Sequence, residues 1–279
     1  MSTVAILGAG PIGAAVAHAL AERQAVRAIR LLDAEASVAA GKALDLQQTM
    51  PIDGADVSLS GSADLLSSTG AAVIVIADRV SGGEWQGEEG LALVRQLVRA
   101  GTTAPLVFAG GSQIRLMEAV HAELHVPANR LIGTAASGLV NVARALVAAE
   151  IGLAGVDVTI AGRPPAFVVA WSSATVAGSL LTDRIPAHRL LALSKSLMRF
   201  WPPGPQTIGG ATAQFVDALV NGSRSLLPAA TILDGELGAR RVAAMLPLEL
   251  GRGRVLRKTI PTLSPQERTE VVTGLVRSS

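Results

Sequence analysis

The chain has 279 residues, of which 49% are hydrophobic, and its formal net charge is +2. At about 250–300 residues a single core usually divides, so the length predicts two domains. The small charge indicates no nucleic-acid partner, and the lack of cysteine excludes disulfides, thiolate metal sites and a cysteine nucleophile. No apolar run of about 18 residues and no leader peptide is recognisable, so we expect a soluble cytoplasmic protein without membrane partners.

Strands and helices alternate through the first half of the chain. Apolar runs with strand character occur at residues 4–7, 28–32, 57–59, 72–77, 105–109 and 130–132. Helical periodicity lies between most of these runs, as at Ile12, Val16 and Leu20. This α/β alternation predicts a Rossmann-type, doubly wound parallel sheet with helices on both faces.

The pattern changes after about residue 153. Strand-like segments are predicted at 156–161, 226–233 and 242–250, and helices at 187–200 and 207–220. A closing helix is predicted after Ser264, because Ser264, Pro265 and Glu267 form a capping-box pattern. The sequence therefore predicts a dinucleotide-binding domain over residues 1–150 and an α+β second domain over residues 151–279.

A glycine-rich turn, Gly8-Ala9-Gly10-Pro11-Ile12-Gly13, follows the first strand and opens a helix. In this G-x-G-x-x-G pattern the glycines allow a tight turn, close approach of a pyrophosphate and close helix packing. Asp33 ends the next strand, where a carboxylate accepts hydrogen bonds from ribose hydroxyls and repels a 2′-phosphate, which favours NAD over NADP. The predicted cofactor-binding residues are Gly8, Gly10, Pro11, Ile12, Gly13, Asp33, Ala77, Asp78, Gly110 and Gly111.

The glycine turn, Leu31-Leu32-Asp33 and Gly41-Lys42-Ala43-Leu44-Asp45-Leu46 resemble the lactate and malate dehydrogenase family, nearest its malate branch. The resemblance continues at residues 129–133, 226–228, 235–238, 247–252 and 263–267. It covers nearly the whole chain except a shortened stretch around residues 80–103. The resemblance implies an oxidoreductase family whose members transfer hydride between NAD and a 2-hydroxy acid, and a homo-oligomer, either dimer or tetramer.

The catalytic residues of that family are missing from the matching positions. Oxidation of a 2-hydroxy acid needs a base, a carboxylate that orients it, and arginines that hold the substrate carboxylate. The resemblance matches Pro164 to the catalytic histidine, and an ungapped frame matches Leu139 to its aspartate partner and Val142 to the substrate-binding arginine. None of these side chains accepts a proton or carries charge.

A frame shifted by two residues would instead match Asn141 and Arg144 to the aspartate and arginine positions, and it still provides no base. Other candidates for a remodelled pocket are Arg163, Arg79, Glu84 and Asn141. His18, His121, His125 and His188 are expected on helix surfaces or in helix packing, and no complete set of metal ligands is present.

The sequence therefore predicts an NAD(H)-binding, catalytically depleted member of the family, a pseudoenzyme that serves as a sensor, a scaffold or a partner of an active enzyme. Two alternatives stay open. One is an active NAD-dependent oxidoreductase on a different substrate, and the other is a non-catalytic assembly subunit with no cofactor.

Overall fold

The computed structural model describes residues 2–223 and 225–278. Eight α-helices lie within these residues: α1 (Pro11–Glu22), α2 (Ala36–Asp53), α3 (Gly87–Arg99), α4 (Ile114–Leu124), α5 (Ala135–Ile151), α6 (Ala187–Met198), α7 (Pro205–Asn221) and α8 (Pro265–Ser278). The strands in chain order are β1 (Thr3–Leu7), β2 (Ala28–Leu32), β3 (Ser58–Ser62), β4 (Val73–Ile76), β5 (Asp78–Arg79), β6 (Gly83–Glu84), β7 (Leu106–Phe108), β8 (Leu131–Gly133), β9 (Val156–Asp157), β10 (Ile160–Arg163), β11 (Ala166–Val169), β12 (Thr175–Val176), β13 (Ser179–Leu180), β14 (Leu226–Asp234), β15 (Arg240–Gly251) and β16 (Arg254–Lys258).

Parallel strands form the centre and one edge of the main sheet. They pair in the order β3-β2-β1-β4-β7-β8. The first strand of the chain thus lies inside the sheet and later strands are added outward on both sides, which is the doubly wound order of a Rossmann-type fold. The direction of winding reverses between β1 and β4. In such sheets ligands bind beyond the carboxyl ends of the strands at this point.

Both faces of the sheet are covered. Val4 and Ile6 of β1 belong to one buried cluster, and Ala5 and Leu7 belong to a second one. This division arises because successive side chains of a strand point to opposite faces. Helices α1, α2 and α7 contribute to the first cluster, and α3, α4, α5 and α6 contribute mainly to the second. Burial on both faces explains why the strands read as continuous apolar runs.

The chain beyond α5 extends the same sheet with antiparallel strands. β14 pairs with β8 and β15, β15 also pairs with β10 and β16, and β10 pairs with β11. The prediction of one strand over residues 156–161 is wrong, because the chain changes sheets there. β9 joins β12 and β13 in a separate small sheet, whereas β10 joins the main one.

The last helix begins as its sequence predicts. The Ser264 N–H donates to Glu267 Oε2 at 2.7 Å, and the Glu267 N–H donates to Ser264 Oγ at 3.3 Å, which is a capping box. Partial burial raises the pKa of the Glu267 carboxyl, but hydrogen bonds from Ser172 and Ser264 outweigh it and bring the pKa below its ordinary value. The carboxylate form of Glu267 therefore stabilises the start of α8.

The predicted division into residues 1–150 and 151–279 falls at the end of α5. The main sheet continues across it, since Ala230 of β14 pairs with Gly133 of β8. Both buried clusters also contain residues from the two sides. The two-domain organisation stays a prediction. Within the described part of the chain, no helix combines the length and apolar character needed to cross a membrane.

Candidate functional site

The glycine-rich turn joins the carboxyl end of β1 to the amino end of α1. Gly8 has a φ of 115°, which an L side chain rarely adopts, so glycine is required there. A Cβ on Gly13 would collide with the Gly8 carbonyl oxygen, so this glycine lets the helix begin close to the strand. The residue before the helix is Gly10, which has no side chain to accept a hydrogen bond from the first helical N–H groups. These N–H groups therefore need partners from elsewhere in the molecule.

Asp78 supplies these partners. The residue follows β4 through Ala77 and is 7% exposed. Its carboxylate accepts hydrogen bonds from the Ile12 N–H at 3.2 Å and the Gly13 N–H at 2.9 Å, and its peptide oxygen accepts one from the Gly10 N–H at 2.8 Å. The amino end of a helix carries a partial positive charge and free N–H groups, which is where proteins bind phosphates. In this structure a carboxylate of the chain itself lies there.

Asp33 lies directly after β2 and is 5% exposed. Its carboxylate accepts hydrogen bonds from the N–H groups of Ala9 at 2.8 Å, Glu35 at 3.1 Å and Val80 at 3.0 Å. The first two bonds come from the glycine turn and from the loop after β2. The third comes from the loop that follows Asp78. The group predicted to receive a ribose is therefore held by backbone donors.

A second turn, Gly110-Gly111-Ser112, lies beyond β7 at the same edge of the sheet. Its N–H groups at Gly111 and Ser112 donate to the Glu84 carboxylate at 3.1 and 2.8 Å, and the Ser112 hydroxyl donates to it as well. Gly110 donates to Gln113 Oε1 at 2.9 Å. This turn is thus bonded to strand β6 and closed against it.

Two contacts at this edge were not predicted from the sequence. Gln113 is fully buried, and its Nε2 donates to the Ala77 carbonyl at 3.0 Å, so its amide joins the ends of β4 and β7. Lys42 of α2 donates from Nζ to the Ala9 carbonyl at 2.5 Å and so braces the glycine turn. A glutamine directly after Gly110-Gly111-Ser112 was the available signal for the first. Nothing local to Lys42 indicates the second.

The three residues that the sequence analysis matched to the family's catalytic positions are not ionisable, and the structure places them as follows. Pro164 is buried in the turn between β10 and β11. Leu139 on α5 is fully buried within the core, and Val142 is half-buried and packs against the same cluster.

The other candidates each engage a different partner. Arg163 is 5% exposed, and its guanidinium forms a two-pronged ion pair with Glu118 of α4. Arg79 pairs with Glu89 at 2.7 Å and lies 4.7 Å from the centre of the Trp85 ring. Asn141 Oδ1 accepts a hydrogen bond from Arg144 NH1 at 3.4 Å. The structure does not join these residues into one constellation.

The histidines lie on helices and loops, as the sequence predicts. His18 is 3.8 Å from Glu22 on α1, and His121 Nδ1 is 2.9 Å from the Val126 carbonyl. His125 ends α4, and His188 is exposed in the first turn of α6. Within residues 2–223 and 225–278, no group of three His, Asp or Glu side chains is placed to hold a metal ion.

Residues 2–96 match the family model described as the NAD binding domain of lactate/malate dehydrogenase. A malate dehydrogenase of Desulforudis audaxviator (strain MP104C) is 28% identical over 293 residues, which cover 95% of this chain and 92% of that protein. A malate dehydrogenase of Thioalkalivibrio sulfidiphilus (strain HL-EbGR7) is 28% identical over 298 residues, with 97% and 95% covered. Among solved structures, a minor L-lactate dehydrogenase of Enterococcus mundtii superposes with a TM-score of 0.89 at 21% identity and covers 99% of this chain and 96% of that one.

The sheet order and the matched segment together define a Rossmann-type protein with an NAD-binding domain. The chain is similar to the lactate/malate dehydrogenase family: residues 2–96 match its NAD binding domain, and the malate dehydrogenase relatives align over nearly the whole chain. The predicted family, the α/β fold class and NAD as cofactor are confirmed. The individual cofactor-binding residues stay predictions.

NAD fits the chemistry of the glycine turn, since its N–H groups and the helix dipole suit a pyrophosphate. In the arrangement that the structure describes, however, the pyrophosphate position is already occupied. The carboxylate of Asp78 accepts the Ile12 and Gly13 N–H groups that a pyrophosphate would need, and a Cβ placed on Gly10 would lie 2.5 Å from the Asp78 carboxyl carbon. Carboxylate and pyrophosphate cannot occupy this position together.

Proposed function

We propose that this chain is a catalytically depleted member of the lactate/malate dehydrogenase family, a pseudoenzyme that binds NAD(H) and does not oxidise 2-hydroxy acids. The observation that carries this proposal is the buried Pro164 at the position matched to the catalytic base. The neighbouring Arg163 does not replace that base, because a guanidinium stays protonated in proteins and this one is paired with Glu118.

The surrounding positions support the same conclusion. Leu139 is fully buried among apolar side chains and Val142 packs beside it, so the matched places of the aspartate and arginine are part of the core. A positioned acid or base contributes about 10²–10⁴-fold to a rate, and substrate orientation contributes further. Loss of all these groups together removes the chemistry that the family resemblance implies.

The shifted frame offers no better site. It places Asn141 and Arg144 where the aspartate and arginine are expected, but Asn141 carries an amide rather than a carboxylate. Arg144 lies 3.7 Å from Asp157 and donates to Asn141. The alternative of an active enzyme on another substrate would use groups such as Arg163, Arg79, Glu84 or Asn141, and each of them has a separate partner.

The test is an assay of NADH oxidation with a panel of 2-oxo acids that includes oxaloacetate and pyruvate. We expect no turnover above the protein-free rate, whereas a malate dehydrogenase relative in the same buffer supplies the positive control. Steady turnover with any member of the panel would overturn the proposal of catalytic depletion. Binding of NADH is measured separately, by nicotinamide fluorescence, because loss of catalysis and loss of binding are different results.

We also propose that the protein is a cytoplasmic homo-oligomer, either dimer or tetramer. Support comes from exposed apolar side chains on α2, where Leu44 is 59% and Ile52 is 83% exposed. Apolar groups on one helix surface favour association because contact removes them from water. Light scattering coupled to gel filtration measures the mass in solution, and a monomer at micromolar concentration would contradict the oligomer.

A further inference from the structure

The segment between β4 and α3 folds back over the site as a short hairpin of β5 and β6, here called the 78–84 hairpin. It contacts the predicted dinucleotide site at three places. Asp78 caps the start of α1, the Val80 N–H donates to Asp33, and Glu84 accepts from the second turn at Gly111 and Ser112. The first two places correspond to the predicted pyrophosphate and ribose positions, and the third includes Gly111, which is also predicted to bind the cofactor.

Asp78 is the strongest of the three contacts chemically. A carboxylate carries the same sign of charge as a pyrophosphate and accepts the same N–H groups, so it satisfies the amino end of α1 as an anionic ligand would. Its two bonds at 2.9 and 3.2 Å use the N–H groups of Gly13 and Ile12. These donors become available to a ligand only if the Asp78 side chain leaves.

The other two contacts also oppose binding of the cofactor. The Asp33 oxygen that accepts from Val80 also accepts from Ala9, so a ribose hydroxyl would have to compete with backbone donors for this carboxylate. Glu84 occupies the donors of the second turn with a further negative charge. The hairpin thus forms hydrogen bonds with polar groups at all three of these places in the predicted cofactor site.

Two polar side-chain groups, one in the hairpin and one directly after it, are unpaired. Within the described residues, Arg79 Nε and Trp85 Nε1 are buried donors without a hydrogen-bond partner. Buried donors of this kind favour an alternative arrangement in which they reach water. Gly82 and Gly87, with φ values of 107° and 56°, give the backbone at the hairpin tip and exit the freedom that such a movement needs.

A cleft lies beside the hairpin. It has a volume of ≈ 250 Å³ and is lined by Leu7, Leu32, Asp33, Ala63, Trp85 and Leu93. Small-molecule sites usually span about 300–1,000 Å³, so this space is suited to one ring system rather than a whole dinucleotide. With the hairpin in this position, the apolar cleft is open, whereas the predicted pyrophosphate position is filled by Asp78.

We propose that the 78–84 hairpin is an internal competitor of NAD(H), in which the Asp78 carboxylate takes the place of the pyrophosphate and must move out before the dinucleotide binds. This inference rests on the proposed function, NAD(H) binding. A ligand that binds only an open state has its apparent affinity reduced by the open fraction. If the open state holds about 1–10% of the molecules, affinity is lowered about 10–100-fold.

The experiment compares NADH binding to the wild type and to Asp78→Ala by fluorescence titration, with circular dichroism to verify folding. The matched control is Asp56→Ala, which removes a carboxylate that is 95% exposed, pairs with Arg27 at 3.2 Å and does not line the cleft. We expect Asp78→Ala to bind NADH about 10–100-fold more tightly and Asp56→Ala to bind like the wild type. Equal or weaker binding by a folded Asp78→Ala protein would overturn the competitor.

Hydrogen exchange on the unmutated protein gives a second test that does not depend on the folding of a variant. Saturating NADH should speed the exchange of the Val80 and Ser112 amides, because both lose their carboxylate acceptors when the hairpin opens. Unchanged protection of both amides in NADH-saturated protein would also overturn the proposal. Absence of NADH binding in the wild type and both variants would refute NAD(H) binding itself, whereas equal binding in all three refutes only the competitor.

Discussion

The ion pair between Arg163 and Glu118 connects the antiparallel half of the sheet to helix α4. The side chains are 7% and 20% exposed, and the guanidinium meets both carboxylate oxygens. Glu118 Oε1 also accepts a hydrogen bond from the Ala243 N–H of β15 at 2.7 Å. Glu118→Ala therefore removes three bonds at once and leaves a guanidinium and a backbone N–H without acceptors.

The expected loss of stability follows from burial. Removing one partner of a buried ion pair costs about 3–5 kcal/mol, and the partial exposure of Glu118 places the expected cost near the lower limit. In domains of 150–250 residues each kcal/mol lowers the melting temperature by about 2–4 °C, so Glu118→Ala should lower it by at least about 6 °C. Arg163→Met together with Glu118→Met should cost less than the sum of the single changes, because neither charge is then left alone.

Thermal unfolding followed by circular dichroism measures these values. The matched control is Glu123→Ala on the same helix, where the glutamate is exposed and the expected change is within about 0.5 kcal/mol. If Glu118→Ala melts at the temperature of this control, the ion pair does not hold the two parts together. Arg163 would then be free to bind a substrate, and the alternative of an active enzyme would gain support.

Three further results are expected. Asp33→Ala should weaken NADH binding by about tenfold or more, because a charged acceptor contributes about 1.5–3 kcal/mol, and an unchanged dissociation constant would refute its assignment to the ribose. Pro164→His should give no reduction of oxaloacetate, since Leu139 and Val142 still provide neither aspartate nor arginine; appreciable activity would mean that the frame matching them is wrong. The stability advantage of the wild type over Glu267→Gln should be fully present above about pH 5 and disappear as the pH falls through the lowered pKa of Glu267, and a pH-independent difference in thermal unfolding would contradict the role of its carboxylate.

Local patterns were sufficient for much of the fold. The strand at residues 28–32 was predicted to the residue, and the capping box at Ser264 correctly predicted the start of α8. Both signals depend on periodicity or on contacts three residues apart. The strand predicted over 156–161 failed because its residues divide between two sheets, and the choice of partner strand depends on segments far away in the chain.

The candidate site likewise contains some features that the sequence predicts and others that it does not. The glycine turn and Asp33 were recognisable because the shape of a tight turn needs glycine and the end of a strand places a carboxylate at the edge. The Asp78 bonds to Ile12 and Gly13 join residues 66 and 65 positions apart, and Glu118 pairs with Arg163 at a separation of 45. No local pattern specifies such pairs, because the sequence around each carboxylate is equally consistent with a side chain exposed to solvent.

The sequence by itself determined that this chain forms a doubly wound sheet with a glycine-rich turn, and it predicts Pro164, Leu139 and Val142 at the positions matched to the family's base, aspartate and arginine. These features follow from residue type and spacing, which act over a few positions along the chain. Only the tertiary structure decided that the 78–84 hairpin folds back over the turn and that Arg163 is paired. Packing brings distant charges to the same N–H and guanidinium groups, and a carboxylate selects its partners only after the sheet edge has formed.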